Sequence, residues 1–297
     1  MNTSCLRRAA RLLTAAAATA LLASCGGDSI VSDLNPERFI VMGDDFMDVG
    51  QNGYVYTVND GTPTWVQTFA SHYGLDVQPS GAGGWGFAQG GARISEAGAA
   101  PSVVEQVNEA LGRTALGKND VVLIGGGQND VVAAVDAHGV SDAAYAAVEQ
   151  AGSELAQQVR RIVDAGATHV AVVGVPPMGD TPWGRARGEE AINNLSVAFD
   201  NALKLGIHDM GDTVLFLDAA LFFDLFYDAH EDYGFSNRDE GVCSTPDVTT
   251  CTTADVKDPS YTRWLFADDK HFTPEALRLF GTDAYSESGY TRFRDRW

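Results

Sequence analysis

Three aspartates follow the apolar run that begins at Phe39. Residues 39–42 read Phe-Ile-Val-Met, and Gly43 then opens a turn that carries Asp44, Asp45 and Asp48. An apolar run of this length, bounded by glycine, predicts a buried strand. Open α/β sheets bind their ligands at the carboxyl ends of such strands. This stretch therefore predicts a functional site that contains carboxylates.

Further polar residues follow or precede predicted elements later in the chain. Asn129 comes after an apolar run at 120–127, and Asp268 and His271 stand just before a Thr-Pro pair that opens the last helix. Each has an ordinary explanation on its own, because Asn129 can end a strand and Asp268 can cap a helix.

A glycine-rich segment over 80–92 lacks the spacing of a nucleotide-binding loop, which argues against a phosphate site there.

Taken together, these segments resemble the sequence blocks of the GDSL esterase/lipase family, the SGNH hydrolases. Residues 43–50 match the first block, G-D-S-L-S-D-x-G, at four positions, Gly43, Asp44, Asp48 and Gly50. The second block, N-F-A-x-G-G-A, resembles residues 86–92 with glycine in place of the leading asparagine. The third, G-x-N-D, resembles residues 127–130, and the fifth, D-x-x-H-x-T, resembles residues 268–273. The blocks stand in family order, and the resemblance covers residues 38–285.

The resemblance implies a hydrolase that acts on ester bonds, of lipase or acylhydrolase type, without a cofactor or a metal. In the family, the serine of the first block attacks the ester carbonyl, the histidine of the fifth block is the general base, and the preceding aspartate orients it. The last two roles fall on His271 and Asp268. The oxyanion hole falls on Gly91 and Asn129, together with the backbone amide of Asp45.

The nucleophile position departs from the family, because Asp45 stands where the serine should be. A carboxylate is a poor nucleophile toward an ester carbonyl, since the product is an anhydride with a better leaving group than the expelled alcohol. Asp45 also places negative charge beside donors that should receive an oxyanion. The family's second serine position holds Met47, so this block offers no replacement. We therefore predict that Asp45 competes for the oxyanion hole and pairs with His271.

Three functions are compatible with these residues. The first is an ester hydrolase with an altered route, in which His271 and Asp45 activate a water. The second is a catalytically inactive pseudoenzyme that binds a small-molecule, lipid or acylated-glycan ester without turnover. The third is a hydrolase in which Asp45 attacks saturated carbon, by analogy with hydrolases of another fold that cleave epoxides and haloalkanes with an aspartate.

Strands that alternate with helices predict the fold class. They indicate an α/β protein, a three-layer α/β/α sandwich with a mostly parallel central sheet, as in SGNH hydrolases and flavodoxin-like folds. Residues 38–297 are predicted to form a single domain, with a lid or edge loop over 230–261. Strands are predicted at 39–42, 120–127, 169–175 and 213–218, and helices at 64–73, 103–111, 141–165, 189–204 and 219–227.

The formal net charge of −20 limits the possible partners. It argues against binding to nucleic acid, or to a bare anionic membrane through a basic face. An acidic, solubilising surface is the expectation.

The N-terminus predicts export. Residues 1–24 combine three arginines with an apolar run at 12–22 that is too short to cross a membrane, which is typical of a signal peptide. The sequence Leu-Ala-Ser-Cys that ends at Cys25 resembles a bacterial lipobox, and implies a lipid anchor at Cys25 in the cell envelope, at the outer membrane or on the periplasmic face. Residues 25–37 would be a tether. An ordinary secretory signal cleaved nearby is the alternative, and would give a secreted protein.

Two cysteines remain outside the signal peptide and the lipobox, Cys243 and Cys251. In an oxidising compartment they predict a local disulfide. No histidine cluster lies near them in the sequence, which argues against a zinc site.

Overall fold

Within residues 34–285, which the computed structural model describes, four parallel strands form the central sheet. They lie side by side in chain order: β1 (Arg38–Met42), β2 (Asp120–Gly125), β3 (Val170–Val173) and β4 (Val214–Leu217). Parallel strands covered on both faces are apolar throughout, which explains why these runs are readable in the sequence. The predicted signal peptide and Cys25 lie outside the described residues.

Helices occupy both faces of this sheet. Successive residues of a strand point to opposite faces, so Ile40 and Met42 pack into one core while Phe39 and Val41 pack into the other. The first core is covered by α2 (Val103–Arg113), α3 (Gln128–His138), α4 (Asp142–Asp164) and α6 (Glu189–Ile207), and the second by α1 (Trp65–Ser71), α7 (Ala219–Asp228) and α8 (Pro274–Tyr285). A short helix, α5 (Pro182–Arg185), precedes α6. The fold is thus the predicted three-layer α/β/α sandwich.

The segment predicted as a lid or edge loop is more ordered than its sequence suggests. It contains β5 (Asn237–Gly241), which pairs with β6 (Trp264–Phe266) in a second, two-stranded sheet. The sequence of β5, Asn-Arg-Asp-Glu-Gly, has no apolar alternation, so periodicity could not predict it. This small sheet leads directly into the segment with Asp268 and His271.

The predicted disulfide is confirmed. Cys243 and Cys251 are bonded, with their Cα atoms 5.9 Å apart. Backbone bonds attach this loop to its surroundings, because the amide of Cys243 donates to Ala267 O over 2.8 Å and the amide of Asn59 donates to Cys251 O over 2.8 Å. The disulfide loop therefore joins the segment before His271 to the loop after β1.

Replacing both cysteines by serine should lower the free energy of unfolding by about 2–3 kcal/mol, since the bond closes a short loop. Urea unfolding of wild type with and without reductant, and of the double variant, measures this. Reductant should destabilise the wild type and leave the double variant unchanged. Alkylation of Cys243 or Cys251 in unreduced, denatured protein would contradict the bond.

No helix in the described part of the chain is both long and apolar enough to cross a membrane.

Candidate functional site

The turn after β1 is held in place by a buried glutamine from α2. The side chain of Gln106 accepts from the amide of Gly43 over 2.8 Å and donates to its carbonyl over 2.9 Å. Position 43 also needs glycine, because a Cβ there would lie 2.4 Å from Cγ of Met47 and 2.9 Å from Gly125 O. These contacts fix where the backbone leaves the strand, and so where Asp45 points.

Replacing Gln106 by leucine should cost about 1–3 kcal/mol of unfolding free energy, because the buried amide of Gly43 loses its partner and its carbonyl keeps only the amide of Gln89, at 3.2 Å. The matched control is Gln150→Leu on α4, whose exposed side chain bonds only Glu154. Urea unfolding of both variants gives the comparison. Equal costs would show that the bonds to Gly43 contribute nothing specific.

The carboxylate of Asp45 lies between the two predicted oxyanion donors. Its Oδ2 accepts from the amide of Gly91 over 3.0 Å and from Nδ2 of Asn129. We call Gly91 N and Asn129 Nδ2 the donor pair. The other oxygen, Oδ1, faces Nε2 of His271 at 3.4 Å. Asp45 is 8% exposed, so this carboxylate is almost wholly enclosed.

Asp268 fixes the orientation of His271. Nδ1 of His271 lies 2.8 and 2.9 Å from the two carboxylate oxygens of Asp268. Asp268 Oδ1 also accepts from the amides of Lys270 and His271, over 2.8 and 2.7 Å. Because Nδ1 bonds Asp268, Nε2 is the nitrogen presented to Asp45. The structure thus brings together Asp45, His271, Asp268 and the donor pair, all of which were candidates from the sequence.

The charges of Asp45, His271 and Asp268 stabilise one another. Burial alone would lower the pKa of His271, but the charges and hydrogen bonds of Asp268 and Asp45 raise it to about 10. Burial alone would raise the pKa of Asp45, but His271 and the donor pair hold it below its ordinary value. The pKa of Asp268 is likewise lowered, since His271 and two backbone amides outweigh burial. At neutral pH the site is an imidazolium between two carboxylates.

The neighbouring aspartates hold the backbone in position. Asp44 accepts from the amides of Phe46 and Gln128, each over 3.2 Å, and burial together with the charge of Asp45 raises its pKa to about 7. Asp48 accepts from Gly90 N over 2.9 Å through Oδ2, while its Oδ1 accepts from two amides of its own turn. Asp44 thus bonds the turn to the start of α3, and Asp48 bonds it to the segment that carries Gly91.

Asn129 lies in the first turn of α3, and a salt bridge supports its position. The sequence predicted that Asn129 would follow a strand, and α3 itself was not predicted. Asp130, next to it, accepts from Ile94 N over 3.1 Å and lies 3.4 Å from Nε of Arg93. These contacts bind the loop with Gly91 to the helix with Asn129, which sets the spacing of the donor pair.

Tyr56 is a site residue that the sequence analysis did not identify. Its ring lies 5.5 Å from the His271 ring, centroid to centroid. A Cβ at position 90 would lie 1.8 Å from this ring, so Gly90 gives the tyrosine its space. Burial and the charge of Asp45 raise the pKa of Tyr56, which keeps the phenol neutral. Thr57 Oγ1 donates to Phe272 O over 2.7 Å and fastens this loop to the histidine segment. Tyr56 lies in a polar loop without periodicity, so only its contacts reveal its place.

Among residues 34–285, no group of three or more His, Cys, Asp or Glu side chains could hold a metal ion. The side chains of Asp45, His271 and Asp268 interact with one another, and with the donor pair, through hydrogen bonds and ion pairs.

A parallel α/β sandwich thus brings an acid–histidine pair and two convergent donors together beside the turn that follows β1. The sequence model of the family described as GDSL-like Lipase/Acylhydrolase matches residues 27–283, and the chain belongs to this family. A solved structure of a member of the lipolytic protein G-D-S-L family from Veillonella parvula DSM 2008 is similar, with 11% identity over 84% of this chain and 97% of that chain and a TM-score of 0.47. A second solved structure shares 17% identity over 87% of this chain and 100% of that chain, with a TM-score of 0.44. No curated protein matches the sequence.

Proposed function

We propose that this protein is a GDSL-family hydrolase that acts on ester bonds only weakly, because Asp45 occupies the place of both the nucleophile and the oxyanion. The observation that carries the proposal is the contact of Asp45 Oδ2 with both members of the donor pair. An ester carbonyl can use these donors only after it displaces a carboxylate that is already bonded to them.

Electrostatics works against ester hydrolysis at this position. Two unit negative charges about 4 Å apart repel by about 4 kcal/mol at an effective dielectric constant of 20. A developing oxyanion beside an ionised Asp45 meets a penalty of this order, which corresponds to a rate loss of roughly a thousandfold. The protonated His271 adds a second obstacle, since an imidazolium has no free Nε2 lone pair with which to accept a proton.

An altered route through water is the remaining way to hydrolyse an ester here. Asp45 cannot form a productive acyl-enzyme, because the anhydride would return its acyl group to the alcohol. A water placed near Oδ1 of Asp45 could attack the carbonyl, but it would need a neutral His271. Ester turnover by the native chain should therefore be slow, and should rise when Asp45 is replaced by serine. p-Nitrophenyl acetate hydrolysis by wild type and Asp45→Ser is the test.

Binding without turnover is the second candidate function, and the same contact supports it. A pseudoenzyme of this family would recognise an ester of a small molecule, a lipid or an acylated glycan through surfaces around the donor pair. We further infer export of the chain and a lipid anchor at Cys25, since the lipobox-like sequence precedes a family domain that starts close behind it. The site would then act at the outer membrane or in the periplasm.

A further inference from the structure

We propose that Asp45 is a nucleophile toward saturated carbon, and that the substrates are epoxides, which are strained three-membered cyclic ethers. The proposal rests on the seating of Asp45 in the donor pair and goes beyond the proposed ester chemistry. It holds whether or not the chain hydrolyses esters.

The two oxygens of Asp45 have different surroundings. Oδ2 is bonded to Gly91 N and to Asn129 Nδ2. Oδ1 faces Nε2 of His271 at 3.4 Å, which is longer than an ordinary N–H···O hydrogen bond. Oδ1 has two lone pairs and one long contact, to His271, so a lone pair is available for attack while Oδ2 is held by two donors. The side chains of His271 and Asp45 are 11% and 5% exposed, so only a terminal, unhindered carbon of an electrophile can approach Oδ1.

The first step forms an ester of Asp45. Oδ1 attacks a ring carbon of the epoxide, a new Oδ1–C bond forms, and the ring C–O bond breaks with its electron pair going to the ring oxygen. That oxygen takes the proton from Nε2 of His271. The products are a hydroxyalkyl ester of Asp45 and a neutral imidazole, so the charges of carboxylate and imidazolium cancel.

The second step regenerates the site with water. Neutral His271 takes a proton from a water, which attacks Cγ of Asp45, and the negative charge develops on Oδ2. The donor pair already contacts this oxygen, so the oxyanion of the intermediate forms where two donors are aimed. The bond from Cγ to the former Oδ1 then breaks, and the diol leaves with that oxygen after taking the second proton of the water. The carboxylate, now with one oxygen from water, and the imidazolium are restored.

The protonation state of His271 distinguishes epoxides from haloalkanes. A halide leaves as an anion and takes no proton, so His271 would stay charged after the first step and could not activate water. An epoxide oxygen must be protonated as it leaves, and His271 holds a proton because two carboxylates flank it. Its high pKa agrees with this role, since the imidazolium is the resting form at neutral pH. The first step thus leaves His271 neutral, as the second step requires. The second step leaves it protonated, as the first step requires.

The test uses the full chain, purified in detergent, with styrene oxide as the epoxide, 1-bromohexane as the haloalkane, and water enriched in heavy oxygen. We expect phenylethanediol as the product, and in a single turnover one heavy oxygen atom in the peptide that contains Asp45. Asp45→Asn, which keeps an oxygen near the donor pair but cannot form the ester, should lose all diol formation. Asp136→Asn, an exposed carboxylate on α3, is the matched control and should leave the rate unchanged. His271→Gln removes the acid of the first step as well as the base of the second, so it should slow diol formation by roughly 10²–10⁴-fold.

Two results would overturn the role of Asp45 as the nucleophile. One is wild-type protein with intact circular dichroism that forms no diol above the Asp45→Asn background. The other is diol formation without heavy oxygen in the Asp45 peptide, which would mean direct attack by water. Sustained turnover of 1-bromohexane faster than of styrene oxide would overturn the choice of substrate class. These readouts are independent of the ester assay, because rapid p-nitrophenyl acetate hydrolysis by the wild type would contradict only the proposed function.

Discussion

Asp45→Ser should raise kcat/KM for p-nitrophenyl acetate by about 10²–10³-fold or more. The serine removes the carboxylate from the donor pair, so Gly91 N and Asn129 Nδ2 become free to bind the oxyanion, and one such donor alone is worth this factor. It also removes one of the two carboxylates that raise the pKa of His271, which brings the imidazole closer to a neutral general base. Asp268 remains to orient the ring.

Two controls separate these effects. Asp45→Ala frees the donor pair and relieves His271 but supplies no nucleophile, so it should show no comparable gain. Asp45→Ser combined with His271→Ala should return to the background rate. Substantial wild-type turnover that His271→Ala abolishes, with no gain from serine, would show that the native carboxylate is a working part of an ester hydrolase. The account in which Asp45 blocks the donor pair would then be wrong.

The site is built from segments that lie far apart in the sequence, yet each attaches to its neighbour through an aspartate side chain that accepts from a main-chain amide. Asp48 bonds the β1 turn to Gly90, and Asp130 bonds the loop with Gly91 to α3. Substituting Asp45 leaves these bonds in place, because none of them involves its side chain. We therefore expect variants at position 45 to keep the arrangement of these segments, and their stability to change only through the lost contacts of Asp45 with His271 and the donor pair.

Much of this arrangement could be predicted from the sequence, for a physical reason. Strands buried on both faces are continuous apolar runs, and the residues after them meet at one edge of the sheet. Asp45 and Asn129 both follow such runs, so their meeting follows from the fold. The Asp268–His271 pair is local, since the two residues are three apart and bond each other directly.

Other parts depend on contacts that no local pattern encodes. Gln106 lies on the buried face of α2, and only the position of β1 reveals that its amide bonds Gly43. Tyr56 reaches His271 because Gly90 leaves room and the Thr57 hydroxyl binds the histidine segment. β5 pairs through its backbone, while its side chains are polar. In each case the contact depends on a residue that is distant in the sequence, so the local sequence around Gln106, Tyr56 or β5 does not predict it.

Raising the pH should destabilise the folded chain through His271. The pKa of this histidine is about 10 in the folded protein and about 6.5 in an unfolded chain, so folding favours the protonated form. A group whose pKa rises on folding contributes its full stability below the unfolded pKa, and loses it as the pH rises through the folded pKa. The loss should therefore spread over about pH 6.5 to 10 and amount, at most, to on the order of 5 kcal/mol. Asp45 and Asp268 face the ring and share this interaction, so their lowered pKa values are not a further gain.

Urea unfolding of wild type and His271→Gln between pH 6 and 10.5 measures this contribution. Tyrosines and lysines also titrate toward the upper end of this range, and the difference between the two proteins removes what they have in common. The wild type should be the more stable protein at pH 6, and the gap should narrow steadily as the pH approaches 10. Asp45→Asn should shift this narrowing to lower pH, because a single carboxylate, that of Asp268, then holds the proton on His271. A gap that stays constant across the range would mean that folding does not raise the pKa of His271, so that the imidazole is largely neutral above its ordinary pKa of about 6.5. His271 would then be a competent general base. Both the blocked ester chemistry and the epoxide chemistry require a protonated His271, so neither account would hold.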